Sequence, residues 1–203
     1  MRGWTVKLEP EQVRQDLSRH TCRRVDRGVL KPAAVLLLFY PRQGIDTILF
    51  TRRTEHLPHH AGEIAFPGGR AQPEDADLCA TALRETEEEM GVRQEDVTIL
   101  GRLDDFISVY GFHVVPYVGS IAAGYPFTVN HQEIAEVIEV PVDRLCDPRI
   151  YHTESWEHLG RLYPVCFFNV DGNRIWGLTG AILRQFLQRT GLLPQDHPCG
   201  ARP

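Results

Sequence analysis

The chain is poor in lysine. Of its 22 basic residues only Lys7 and Lys31 are lysine, and the rest are arginine. Two readings stand: codon bias in a GC-rich genome, or selection for guanidinium forks that grip phosphate. Composition does not separate them. Excess positive charge is also missing; the formal net charge of -5 gives no bulk attraction for nucleic acid. Paired cysteine motifs are absent. Cys22, Cys79, Cys146, Cys166 and Cys199 are odd in number, widely spaced and without a CxxC. That pattern argues against a disulfide framework or a zinc site, and for a reducing compartment without thiol chemistry. Long apolar runs are lacking too. The longest, AAVLLLF at 33–39, is too short to span a bilayer, and MRGWTVKLEPEQ at the N-terminus has no apolar signal region. The expectation is a cytoplasmic protein with neither membrane nor nucleic acid as partner.

What is present suffices for one domain with a proper core, since the chain has 203 residues. No internal repeat or low-complexity segment interrupts it. Residues 9–20 read as an N-terminal helix with Val13 and Leu17 four apart. AAVLLLFY and DTILFTRR read as a hairpin about PRQGI, and residues 57–69 as loop, short strand and Pro-Gly-Gly turn. Residues 74–90 read as a helix, with Leu78, Ala82, Thr86 and Met90 as its inward stripe and Gly91 as its stop. VTILGRL, HVVPYVGSI, EIAEVIEVP, YPVCFFNV and NRIWG read as strands, and WGLTGAILRQFLQRTG as a closing helix. Strands and helices do not alternate regularly, so the class is α+β, a sandwich of helices about a sheet, instead of a doubly wound parallel fold. The expected divisions are 1–30 (helix and linker), 31–191 (main domain) and 192–203 (flexible tail).

ALRETEEEMGV, residues 82–92, carries the chemistry. On a helix Glu85, Glu88 and Glu89 fall at i, i+3 and i+4 and share one face, whereas Glu87 lies about 200° from Glu85 and faces solvent. Three stacked carboxylates repel unless a cation sits among them, and near a helix C-terminus they also oppose the macrodipole. All-oxygen ligands favour Mg²⁺ or Mn²⁺ over zinc. The bland alternative is a solvated acidic face. Arg84 precedes the cluster and can fork onto a carboxylate; the glycines of FPGG allow backbone to approach a ligand closely.

GGRAQPEDADLCATALRETEEEMGV resembles the Nudix box, GX5EX7REUXEEXGU with U aliphatic. The second half fits residue by residue from Arg84 to Val92. Thr86 stands where an aliphatic residue is usual, Asp75 replaces the first glutamate, and eight residues instead of seven separate it from Arg84. Upstream, ILFTRRTEHLPHHAGEIAFPGG resembles the added signature of coenzyme A pyrophosphatases through Thr51, Arg53, Leu57, His60, Gly62, Ile64, Phe66, Pro67, Gly68 and Gly69. GFHVVPYVG, EIAEVIEVPV and IWGLTGAIL extend the likeness to about residue 190.

The resemblance implies a Nudix fold with a central mixed β-sheet between helices. It also implies Mg²⁺- or Mn²⁺-dependent hydrolysis of coenzyme A, or an acyl-CoA, to 3',5'-ADP and 4'-phosphopantetheine or its acyl derivative. Glu85, Glu88, Glu89 and the Gly68 carbonyl are the implied metal ligands, and Arg84 the residue that orients a glutamate. Glu133 and Glu89 both stand as candidates for activating water, with a surface-loop charge as the alternative for Glu133. Arg53, Arg52 and Arg70 are candidate substrate contacts. His60 is either another or a loop-shaping residue. Phe66 and Trp176 read as core. Homodimers are frequent among such proteins, and the sequence names no interface. Rival readings are a Nudix hydrolase of dNTP, ADP-ribose or NADH, a non-catalytic Nudix module, and an isopentenyl-diphosphate isomerase-like enzyme. A module would be expected to lose box glutamates, and nothing specific supports the isomerase.

Overall fold

A computed structural model describes residues 6–56, 61–158 and 160–194. After α1 (Pro10–Ser18) the chain forms the expected hairpin, β1 (Lys31–Arg42) and β2 (Ile45–Arg53), with Phe39 opposite Ile48. Two short strands follow, β3 (Ile64–Ala65) and β4 (Gly68–Arg70), and then α2 (Leu78–Met90). Next come β5 (Thr98–Arg102), β6 (Phe106–Ile107), β7 (Phe112–Ser120), β8 (Ile134–Pro141) and the single turn α3 (Val142–Leu145). The chain closes with β9 (Tyr151–His158), β10 (Arg161–Val170), β11 (Asn173–Trp176) and α4 (Gly177–Arg189).

Eight strands make a mixed sheet. The order β3-β2-β1-β7-β5 forms its spine, β4 pairs with β1, β6 with β7, and β8 with β2. β1 and β7 run parallel; the other pairings are antiparallel. Alternation along β1 divides the core. Leu36, Leu38 and Tyr40 pack toward α2 with Ala82 and Met90. Leu37 and Phe39 pack on the other face with α4 and the antiparallel sheet β11-β10-β9. The result is a mixed sheet between helices, as the sequence implied. Among the described residues no helix is long and apolar enough to cross a membrane.

Several local expectations change. The acidic helix starts at Leu78, not at 74, because Asp77 caps it by accepting the Ala80 amide at 2.8 Å, while the Asp75 carboxylate is turned back onto the Gln72 amide. The Pro-Gly-Gly turn is instead strand, with Gly68 opposite Val35. Gly68 has φ +145°, and a Cβ there would strike the Ala34 carbonyl and Val35 Cα. β6 and β9 were not foreseen. Cys166 is disulfide-bonded, while Cys22, Cys79 and Cys146 are free; spacing alone does not report which cysteines the fold oxidises. Val13 and Leu17 of α1 enter the main core, and so does Leu193, within the stretch expected to be a flexible tail.

Candidate functional site

Helical geometry places the acids as the spacing required. Thr86 and Met90 are buried under α2, and the Thr86 hydroxyl donates to the Ala82 carbonyl at 2.6 Å, so a polar residue is satisfied in an apolar slot. Gly91 closes the helix at φ 68°. Glu89 is 3% exposed and accepts the Gly68 amide at 3.2 Å; Arg53 stands 3.5 Å from its other oxygen. Burial pushes its pKa up to about 8, with Glu85 and Glu133 adding to the rise against the Gly68 and Arg53 contacts. Glu85 is also raised, by burial first and then by Glu88 and Glu133, against the pull of Arg84. It lies so close to the main chain that a Cβ on Gly69 would strike its carboxylate.

Arg84 is the brace. It forks onto Asp75 at 2.9 and 3.2 Å, meets Glu85 at 2.9 Å and Glu88 at 3.0 Å, and donates to the Arg70 carbonyl at 3.1 Å. Asp75 is the residue that stands in place of the first glutamate of the box pattern. Its carboxylate also takes the Thr81 hydroxyl at 2.8 Å and the Gln72 amide at 2.9 Å, and Arg84 above all holds its pKa well below the usual range. The eight-residue spacing before Arg84 was the available signal: it leaves Asp75 off the helix, free to turn onto the guanidinium.

Glu133 comes from the loop before β8 and is half-buried beside the acids whose pKa it raises. Asn130 joins it to α2: its backbone amide donates to the Glu89 carbonyl at 2.9 Å, and its side chain reaches Glu133 at 3.4 Å. The pleat of β2 separates the neighbouring arginines. Arg53 faces Glu89, and its Nε is buried with no partner among the described residues. Arg52 is on the opposite face, held by Glu136 at 2.9 Å and Asn173 at 2.6 Å. The structure therefore does not bring Arg52 to the acids; that arginine pairs instead with the exposed Glu136. Arg70 is exposed on β4. His60 lies outside the described residues. Glu87 is half-buried and holds Gln94 at 2.9 Å, so it leaves the acid edge but does not simply face solvent. Phe66 is core, stacked on Phe50 at 4.8 Å; Trp176 is half-buried, parallel to Phe167 at 6.0 Å.

Among the described residues no three acidic, histidine or cysteine side chains converge closely enough to hold an ion as they stand. The donor chemistry nonetheless fits a hard divalent cation. Asp75, Glu85, Glu88, Glu89 and Glu133 outnumber Arg84 and Arg53; burial first, and neighbouring acids second, raise the pKa of Glu85 and Glu89.

A family model described as the NUDIX domain matches residues 30–162. The "Uncharacterized Nudix hydrolase NudL" of Yersinia pestis (strain Pestoides F) is 40% identical over 146 residues, which is 72% of this chain and 73% of that protein. A protein of the same name from Yersinia pseudotuberculosis (serotype O:1b) matches equally. Among solved structures, a MutT/nudix family protein from Enterococcus faecalis superposes with a TM-score of 0.50 at 16% identity. That superposition covers 86% of this chain and 66% of that one, a likeness of fold.

Proposed function

The chain belongs to the NUDIX domain family, and from that premise we propose that this Nudix hydrolase cleaves the pyrophosphate of coenzyme A or an acyl-CoA. The products are 3',5'-ADP and 4'-phosphopantetheine or its acyl derivative. The supporting observation is where the 48–69 segment meets the acid helix. One end delivers Arg53 to Glu89; the other places the Gly68 amide on Glu89 and Gly69 beneath Glu85.

Nudix hydrolases generally use divalent metal ions. Here Glu85, Glu88, Glu89 and the Gly68 carbonyl would hold Mg²⁺ or Mn²⁺, which supplies charge neutralisation for a diphosphate that otherwise repels a nucleophile. Arg84 keeps Glu85 and Glu88 facing that position while Asp75 fixes Arg84. Glu133, whose charge is felt by both Glu85 and Glu89, takes the proton of the attacking water; Glu89 is the second candidate. The water oxygen bonds to one phosphorus, the P–O–P bridge breaks, and each half leaves as a phosphomonoester. Arg53 offers to a phosphate oxygen its Nε, which has no partner among the described residues, and Arg70 is exposed on β4 as a further contact. Arg52 contributes only by anchoring β11 through Asn173.

The test is incubation with Mg²⁺ or Mn²⁺ and a panel of coenzyme A, acyl-CoAs, ADP-ribose, NADH and dNTPs, with products identified by mass. A preference for coenzyme A species is expected, and no preference overturns the reading. Full activity in Glu88→Gln overturns the ligand assignment.

A further inference from the structure

Two turns sit side by side at the end of the sheet where β1 and β7 begin. The first, residues 26–30, is held by the Asp26 carboxylate accepting the Gly28 amide at 3.1 Å. The second, 108–111, is held by the Ser108 hydroxyl oxygen, which accepts the Tyr110 and Phe112 amides at 3.3 and 3.2 Å. The Lys31 amide donates to the Gly111 carbonyl at 3.0 Å and locks one turn to the other. Both are pinned from beneath. The buried Asp105 carboxylate takes the Val25 amide at 2.9 Å and His113 at 2.8 Å, together with Arg102.

On this frame four apolar side chains point outward. Val29 is 101% exposed, Val109 69%, Tyr110 55% and Ile107 54%. A lone exposed valine needs no explanation, but Val29, Val109 and Tyr110 on two interlocked turns, with Ile107 at the end of β6 beside them, make a patch. Because backbone and polar contacts fix the turns, the side chains are not free to collapse inward. Beside the patch runs a cleft of about 300 Å³ between the strand ends and the start of α2, lined by Arg27, Gln72, Asp77, Leu78, Thr81 and His113. Ile107 is the cross-strand partner of His113, which places it at the outer lip of that cleft. The cleft's lining also includes Asp75, whose carboxylate grips Arg84 beside Glu85 and Glu88.

We propose that this cleft and its apolar lip bind the extended arm of the substrate, the pantetheine chain and any acyl group it carries. The inference rests on the coenzyme A reading and adds a location and a specificity to it. Continuity argues for the substrate over another occupant: one carboxylate, Asp75, is shared by the cleft and the acid edge. The composition fits as well, with a polar floor for the amides of the arm and an apolar lip for an acyl tail. The lip should therefore favour longer acyl chains, by about fourfold for each methylene it covers.

Steady-state kinetics with free coenzyme A and an acyl-CoA series test this on wild type, on the double variant Val29→Ser/Val109→Ser, and on the control Leu162→Ser. Leu162 is 71% exposed on the β9–β10 hairpin. The expected result is a KM that falls with chain length in wild type and in Leu162→Ser. In the double variant the long-chain KM should rise by about tenfold or more, far more than for free coenzyme A. Coenzyme A hydrolysis with the same chain-length profile in all three proteins overturns the inference and leaves the function standing. Hydrolysis of ADP-ribose or dNTPs but of no coenzyme A species overturns both. A wild-type dimer by light scattering that Val29→Ser/Val109→Ser turns into a monomer overturns the inference in favour of a second copy of the chain on this surface.

Discussion

Glu89 and Asp105 are equally hidden, each 3% exposed, yet the fold treats them in opposite ways. Asp105 is given an amide, an imidazole and a guanidinium, and these outweigh the burial that alone would raise its pKa, leaving it lowered. Glu89 receives one amide and a distant arginine while Glu85 and Glu133 push against it, and it is raised to about 8. Burial therefore does not decide whether a carboxylate is structural; the supply of partners does. Asp105 is complete within the chain. Glu89 is left short of positive charge, which is the condition of a group that waits for a cation.

The sharpest way to break this comparison is to neutralise each acid. Glu89→Gln should lower kcat on the order of a thousandfold. In EDTA it should nonetheless leave a protein more stable than wild type at pH 9. The sign follows from the raised pKa: the folded state holds a proton that the unfolded state has lost, so wild-type stability falls as pH rises from the ordinary glutamate value toward about 8. Calorimetry at pH 5 and 9 reads the difference. A Glu89→Gln protein less stable than wild type at pH 9 would mean that Glu89 is a structural acid like Asp105.

Asp105→Asn should show the converse, a loss of about 3 kcal/mol from breaking a buried charged cluster. For a chain of this size that is a fall in Tm of about 6–12 °C, with kcat per folded molecule nearly kept. Its pKa is lowered, so its contribution is present above the ordinary aspartate value and is lost as pH falls through the folded value. The gap between wild type and Asp105→Asn should stay constant from pH 7 to about 4 and close below it. A gap that closes on the alkaline side would contradict the assignment.

Asp75 lies between the two extremes. It is satisfied like Asp105, but its chief partner is the arginine that holds Glu85 and Glu88. Asp75→Asn should therefore lower kcat and Mn²⁺ affinity together, by about 10- to 100-fold, with KM changing less. Equal loss in kcat from Arg84→Met and from the double substitution would show that the two residues act as one brace.

These contrasts also mark what could be read from the chain alone. Glu85, Glu88 and Glu89 were legible because helical spacing fixes which side chains share a face. The positions of strands, though not their order, were legible where apolar runs were strong, as in β1, β2 and β7. Asp75 was not, because Glu74 to Asp77 resemble the first turn of a helix, and only the cap at Asp77 shows that the turn begins later. Arg53 and Arg52 both stood as substrate contacts, Arg53 first by its motif, and only the pleat shows that they lie on opposite faces. The Asp105–His113 cluster joins a linker, a loop and β7 across 80 positions from Val25 and eight from His113, and nothing in local spacing reports such a meeting. The β9 strand was hidden in the same way, since no apolar run marks it and only its pairing with β10 defines it.

The smallest expected effect is the one that tests geometry alone. Glu87 and Glu88 are adjacent, carry the same charge and lie in the same helical turn. A diffuse acidic field around the helix would make them interchangeable. Specific ligation would not, since a step of one residue turns a helix by about 100° and carries Glu87 away from Arg84 toward Gln94. Glu87→Gln should thus change kcat/KM by less than about twofold, the scale of a surface charge screened by water. Glu88→Gln, one position on, removes a proposed ligand and should cost at least tenfold. Measured side by side at low and physiological ionic strength, the pair separates position from charge. Equal losses that shrink with salt would mean that the acids act only through their summed field.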